Sequence, residues 1–155
     1  MLRFAVFFVA AFITMEFVSY LAHRFIYHKL LWVFHESHHT PRKGVFEWND
    51  VFPLFFASVS IVVIWYAVGD PSRSDILALA LGVTLYGMVY FFLHDIYVHR
   101  RIPGVVFRNP YMRRLKKAHM VHHAFGGEPY GLLLFRAKDV RDPGSDVTAG
   151  RGPNP

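Results

Sequence analysis

The chain is 155 residues long, 18.0 kDa, 54% hydrophobic and of mean hydropathy +0.27: one domain's worth of a membrane composition. It has no cysteine, which excludes disulfides, iron–sulfur clusters and thiolate zinc sites and leaves any metal to nitrogen and oxygen ligands. The formal charge of +6 by itself admits a nucleic-acid partner, but the placement of the charges argues for a membrane surface instead.

Residues 4–15 are uncharged, and with Glu16 and the following FVSYLA the apolar run reaches Ala22, long enough to cross a hydrocarbon core about 30 Å thick. No small-residue cleavage site precedes the first histidine, so the run is expected to be a spanning helix and not a signal peptide. Glu16 inside a span is costly unless paired, which makes it a candidate partner for a metal ligand. Residues 23–50 then carry histidines, Trp32 and Trp48, with Tyr20 and Tyr27 close by, the aromatic dress of a membrane interface.

Val51–Gly69 is a second uncharged run, with Pro53 near its start where a missing N–H does little harm. Residues 69–75 (GDPSRSD) read as a turn, and Ile76–Leu93 as a third uncharged run. This hairpin returns the chain to the side it left, so His94 is expected to emerge where His39 lies. Of the 17 Lys and Arg, only Arg3 and Arg73 fall on the other side. Short basic loops stay cytoplasmic, so the histidine face is expected in the cytoplasm and the N-terminus outside. Residues 111–117 (YMRRLKK) read as an amphipathic interfacial helix, 126–131 as a loop, and the Gly-, Pro- and Asp-rich stretch from Arg136 as a disordered tail. The expectation is one all-α integral membrane domain over 1–135, with three to four transmembrane helices and the tail at 136–155.

All ten histidines fall in two copies of one pattern: His23-x4-His28 then His35-x2-His38-His39, and His94-x4-His99 then His119-x2-His122-His123. A lone histidine on an apolar face is usually a hydrogen-bonded core residue, but four clusters that exhaust the histidines point to metal. On an ideal helix each triplet spans a sector about 100° wide and can face one point. The i, i+5 pairs stand about 140° apart, so either the helix is distorted there or the two members address different metals. Ten nitrogens exceed the four to six or so ligands of one first-row ion, so two metals are expected. With no H-E-x-x-H, a zinc hydrolase is disfavoured. Redox chemistry on a lipid-soluble substrate fits better, against two rivals: a two-haem electron carrier and a divalent-metal transporter.

The segments HRFIYH (23–28), HESHHTPRKGVFEWND (35–50), HDIYVHRR (94–101) and AHMVHHA (118–124) resemble the membrane-bound histidine-motif di-iron oxygenases of the fatty acid hydroxylase superfamily, and within it the bacterial carotenoid hydroxylase branch. The likeness runs from about residue 15 to 135 and includes GLLLF at 131–135. It implies a monooxygenase of the bacterial inner membrane that hydroxylates C3 and C3′ of β-ionone rings, giving zeaxanthin through β-cryptoxanthin. It implies two iron ions, dioxygen as cosubstrate, and two electrons per hydroxylation from reduced ferredoxin or a similar donor. Sister enzymes acting on fatty acids or sterols, and carotenoid ketolases, share the same metal chemistry. The ten histidines then hold the metals, one or two of them expected as partners of a ligand instead of ligands, with Glu16, Glu36, Glu47, Asp50 and Asp95 as candidates to accept a ring N–H. Ordinary salt bridges of these carboxylates with Arg42, Lys43 or Arg100 are the competing expectation. An acidic electron donor would dock on Arg113, Arg114, Lys116 and Lys117.

Overall fold

The structure is a computed structural model that describes residues 1–140; the remainder of the expected disordered tail lies outside the described residues. The described residues are all-helical. Helix α1 (Leu2–Leu21) runs without a break into a π-helical segment (Ala22–Leu30), and a turn at Leu31 starts α2 (Trp32–His39). A 3-10 turn (Trp48–Asp50) leads into α3 (Val51–Ala67), and another (Pro71–Arg73) into α4 (Ser74–Phe91). A second π-helical segment (Phe92–Val98) extends α4, and α5 (Pro110–Phe125) follows. The chain from residue 136 begins with a 3-10 turn (Ala137–Val140), where Asp139 accepts the Arg136 N–H at 2.6 Å.

Among the described residues three helices are long and apolar enough to cross a membrane: Leu2–Leu30, Trp48–Ala67 and Pro71–Val98. They are apolar all round, and little of their surface is covered by the protein itself. Val9, Ile13, Phe17, Leu54, Phe55, Ile61 and Val62 all face outward, as lipid-facing residues do.

What holds the spans together is close backbone approach. Helix α1 packs mainly on α4, and α4 on α3. At the α1–α4 crossing a Cβ on Gly82 would come within 2.3 Å of the Phe8 carbonyl oxygen and 2.9 Å of the Ala11 Cβ, so only glycine fits. Small residues at a crossing are the usual device where lipid removes the hydrophobic drive for helix association. At the far end Arg3 pairs with Asp75, and Arg73 with Asp70 at 3.0 Å. The two cations set apart by the sequence thus sit at the same end, opposite the histidines.

Glu16 is 5% exposed, and both oxygens of its carboxylate are engaged. It accepts from the Tyr86 hydroxyl at 2.8 Å and from the backbone N–H of Leu133 and Leu134 at 2.8 and 2.9 Å. Three bonds to a charged acceptor, each contributing about 1.5–3 kcal/mol, outweigh an insertion cost of about 3 kcal/mol. The link lashes the stretch after α5 onto the first span. At the histidine end of the third span, Leu93, Tyr97, Val98, Leu115 and Leu132 form a small core joining the π-helical extension of α4, α5 and that stretch.

Candidate metal centre

The two i, i+5 pairs are resolved by distortion of the helix. Both lie in π-helical segments, and in the second the His99 N–H donates to the His94 carbonyl at 2.9 Å, an i→i−5 bond. This wider turn brings residues five apart onto one side, which a regular α-helix does not. His23 and His28, and likewise His94 and His99, therefore address the same point.

The triplets behave otherwise than an ideal helix implies, because each divides. The ten imidazoles form two sets: His23, His28, His35, His39 and His122 in one, and His38, His94, His99, His119 and His123 in the other. Within each set the ligand atoms lie within 4.8 Å of one another. His38 thus leaves its triplet for the second set, and His122 leaves its own for the first. Each set draws on both halves of the chain. The sets adjoin, with the rings of His35 and His38 5.6 Å apart and those of His119 and His122 5.8 Å apart.

Ring tautomers follow from acceptor-only partners. His23 Nδ1 donates to the Tyr130 carbonyl at 2.8 Å, His35 Nδ1 to Asn49 Oδ1 at 2.7 Å, and His122 Nδ1 to the Gly127 carbonyl at 2.5 Å. His38 Nδ1 donates to the Glu47 carboxylate and His94 Nδ1 to that of Asp95, each at 3.0 Å. Each of these rings then carries a bare lone pair on Nε2. Yet the Nε2 atoms of His23 and His35 stand 3.0 Å apart, and so do those of His38 and His94. Two lone pairs that close repel unless a cation lies between them, so the donor set fits a metal ion in each set. Neutral imidazole without thiolate suits iron, copper or zinc.

Burial keeps these rings neutral, as ligation requires. It lowers His35 to about 4 and His39 and His99 to about 3, with neighbouring charges helping. His38, His119, His122 and His123 are lowered for the same first reason. Six of the ten are buried, whereas His28, His39, His99 and His123 are half-buried and mark the open side of the centre. Trp32 flanks that side, 5.3 Å from the His28 ring and 5.4 Å from that of His39. His119 Nδ1 is buried without a partner among the described residues.

The expected carboxylates take different places. Glu47 and Asp95 each hold a histidine, as above. Asp50 touches no histidine; it accepts the Glu47 N–H at 2.9 Å and binds Arg101. Glu36 is exposed and holds no ring N–H, because a residue next to His35 on α2 points about 100° away from it. Glu16 anchors the stretch after α5 and takes no ring N–H. The salt-bridge partner of the cluster is Arg101, not Arg42, Lys43 or Arg100: it reaches Asp50 at 2.6 Å, Asp95 at 2.8 Å and Glu47 at 3.3 Å.

Asn49 and the carbonyls of Gly127 and Tyr130 are site groups that pattern reasoning did not find. Asn49 carried a signal, since it sits inside FEWND; a carbonyl carries none. Gly126 and Gly127, at φ 68° and 74°, turn the chain sharply after α5 and aim one of those carbonyls back at His122. On α5, Arg113, Arg114 and Lys117 are exposed, while Lys116 donates to the Tyr97 carbonyl at 3.3 Å and is partly withdrawn.

A comparison with known families matches residues 8–139 to the fatty acid hydroxylase family. The chain is 44% identical over 132 residues to a β-carotene hydroxylase of Pseudescherichia vulneris, covering 84% of this chain and 73% of that protein. It is 43% identical over 141 residues to the chloroplastic β-carotene 3-hydroxylase 2 of Arabidopsis thaliana, covering 88% and 46%. It is 44% identical over 131 residues to the chloroplastic β-carotene hydroxylase 2 of Capsicum annuum, covering 81% and 42%. The chain thus spans less than half the length of these two plant relatives. No solved structure matches it.

Proposed function

The chain belongs to the fatty acid hydroxylase family, and from that premise we propose that it is a non-haem di-iron monooxygenase that hydroxylates C3 and C3′ of the β-ionone rings of β-carotene. The product is zeaxanthin, by way of β-cryptoxanthin. The carotenoid assignment is supported by the relatives, whose names specify β-carotene hydroxylation, including a bacterial protein matched over most of its length.

The observation that carries the metal chemistry is the pair of facing lone pairs, His23 with His35 and His38 with His94, each inside a set of five imidazoles. The first set would hold one iron and the second the other. Bound iron supplies activation of dioxygen, with two electrons and two protons consumed and one water released per hydroxyl inserted. Five imidazoles within 4.8 Å leave no plane for a porphyrin, which speaks against the haem carrier. Ligands gathered at the span ends, with only Glu16 at mid-span, speak against a transporter.

The protein's own work is to orient and to exclude. Glu47, Asp95, Asn49 and the two carbonyls fix the tautomers of five of the ten rings, His23, His35, His38, His94 and His122, and so turn their Nε2 atoms inward. The buried rings close the centre on one side, while His28, His39, His99 and His123 leave the other open to a ring rising from the lipid. The polyene stays in the hydrocarbon beside spans whose surfaces are apolar. The centre lies on the cytoplasmic face of the cell membrane, a reading supported by Arg3 and Arg73 both lying at the opposite end, paired with Asp75 and Asp70. Arg113, Arg114 and Lys117, with Lys116 behind them, offer an acidic ferredoxin-type donor a basic face.

Expression in a bacterium that accumulates β-carotene, followed by chromatography of its pigments, tests the proposal. Zeaxanthin and β-cryptoxanthin are expected; unchanged β-carotene in cells that contain the protein in their membranes, or echinenone-type ketones, would overturn it.

A further inference from the structure

The two sets differ in what stands behind their rings. In the first, the three held Nδ1–H groups donate to neutral amide oxygens: Tyr130 carbonyl, Asn49 Oδ1 and Gly127 carbonyl. In the second, the two held Nδ1–H groups donate to carboxylates, Glu47 and Asp95. These carboxylates are 10% exposed and are fastened together by Arg101, itself 14% exposed. Its Nε meets Asp95 at 2.8 Å, its Nη2 meets Glu47 at 3.3 Å, and its fork grips Asp50 at 2.6 and 3.1 Å. One guanidinium facing three carboxylates leaves the cluster net negative, directly behind His38 and His94.

A carboxylate partner draws on the Nδ1 proton and makes the opposite nitrogen of the ring a stronger donor, and it favours positive charge on a bound ion. An amide oxygen does much less. We infer that the two metal positions are inequivalent: the set His38, His94, His99, His119 and His123 binds its ion first and more tightly, with Arg101 the positioning residue that holds Glu47 and Asp95 against His38 and His94. The inference rests on the two-metal reading above and adds to it which position is the strong one and which residues make it so. It also gives Asn49 a definite role, because the isosteric change Asn49→Asp converts the amide behind His35 into a carboxylate and makes the weak position resemble the strong one.

The experiment is a titration of the metal-stripped full-length chain in detergent with cobalt(II), without oxygen, read by calorimetry and by the visible absorption of the ion. Two steps are expected, at least about tenfold apart in affinity. Asp95→Asn and Glu47→Gln weaken the first step about 10–100-fold, the usual effect of removing such a partner, and leave the second in place. Arg101→Gln weakens the first step as well, and Arg101→Lys recovers part of it. Asn49→Asp tightens the second step by about tenfold, a gain that damaged folding does not produce. Two equal steps in the unaltered chain, equal weakening of both by Asp95→Asn, or an unmoved second step in Asn49→Asp would each overturn the inequivalence while leaving two metals in place. Fewer than two ions bound would overturn the two-metal reading and this inference with it.

Discussion

The imidazole of His39 lies flat against that of His123, ring centroids 4.2 Å apart and planes 12° from parallel. The two rings come from opposite halves of the chain and belong to different sets. They therefore form a shared wall between the two sets, on the half-buried side of the centre. A substitution in either set is expected to be felt across that wall.

His122 is fully buried, and its Nδ1 is held by the Gly127 carbonyl. His122→Ala removes one of five nitrogens from the first set and leaves α5 otherwise intact. Metal analysis of the purified protein is expected to fall from two ions towards one, pigment conversion in β-carotene-producing cells to vanish, and the amount of protein in the membrane to stay unchanged. Full conversion by the variant would remove His122 from the ligand set.

Gly82 and Gly87 lie on the same helix and should respond oppositely to alanine. At Gly82 the new Cβ meets the Phe8 carbonyl oxygen at 2.3 Å, a backbone atom that cannot swing aside, whereas at Gly87 nothing lies within 4 Å. Gly82→Ala is expected to cost about 1–3 kcal/mol through forced separation of α1 and α4. Gly87→Ala is expected to be neutral or stabilising by up to about 1 kcal/mol, because alanine loses less backbone entropy in a helix. Thermal unfolding in detergent measures both.

Replacing Glu16 tests the lash between the first span and the stretch after α5. Glu16→Ala strands the N–H groups of Leu133 and Leu134 and the Tyr86 hydroxyl. A loss of about 2–5 kcal/mol is expected, at about 1–3 kcal/mol for each buried group left unpaired and partly relieved by relaxation. Glu16→Gln keeps one oxygen for the two N–H groups and should be milder. Because Tyr130, whose carbonyl holds His23, sits on the same stretch, metal retention is expected to fall with stability in the alanine variant.

Stripping the metals should make the protein acid-sensitive. The folded-state values of His35, about 4, and of His39 and His99, about 3, lie below the ordinary 6.5. Between those values and 6.5 the unfolded chain binds more protons than the folded one, so stability rises with pH across that window. The melting temperature of the metal-free chain is expected to be level above about pH 6.5 and to fall progressively below it. Restoring two equivalents of metal at pH 7.5 is expected to raise the melting temperature, since an ion that binds only the folded state stabilises it. A melting temperature that climbs on acidification contradicts the neutral, converging imidazoles.

The chain's chemistry was legible where the signal is local. Uncharged runs of span length declare three membrane helices, because hydrocarbon tolerates little else. Ten histidines confined to four clusters point to metal, because imidazole in that number has no comparable structural use. The return of the hairpin, read from two runs and a turn, put His94 beside His39's end of the molecule. Tertiary structure alone decided how the ten rings divide. Ideal periodicity groups His35, His38 and His39 together, but α2 lies between the two positions and its rings reach both. Ideal periodicity also parts His23 from His28, but a π-helical turn reunites them. It decided, too, what stands behind the rings. Backbone carbonyls at Gly127 and Tyr130 have no signature in the residue string, and Arg101 became the hub instead of Arg100 only because of where the chain turns after the second π-helical segment. Residue identity marks the ten imidazoles; distance in the folded chain sorts them into two sets of five.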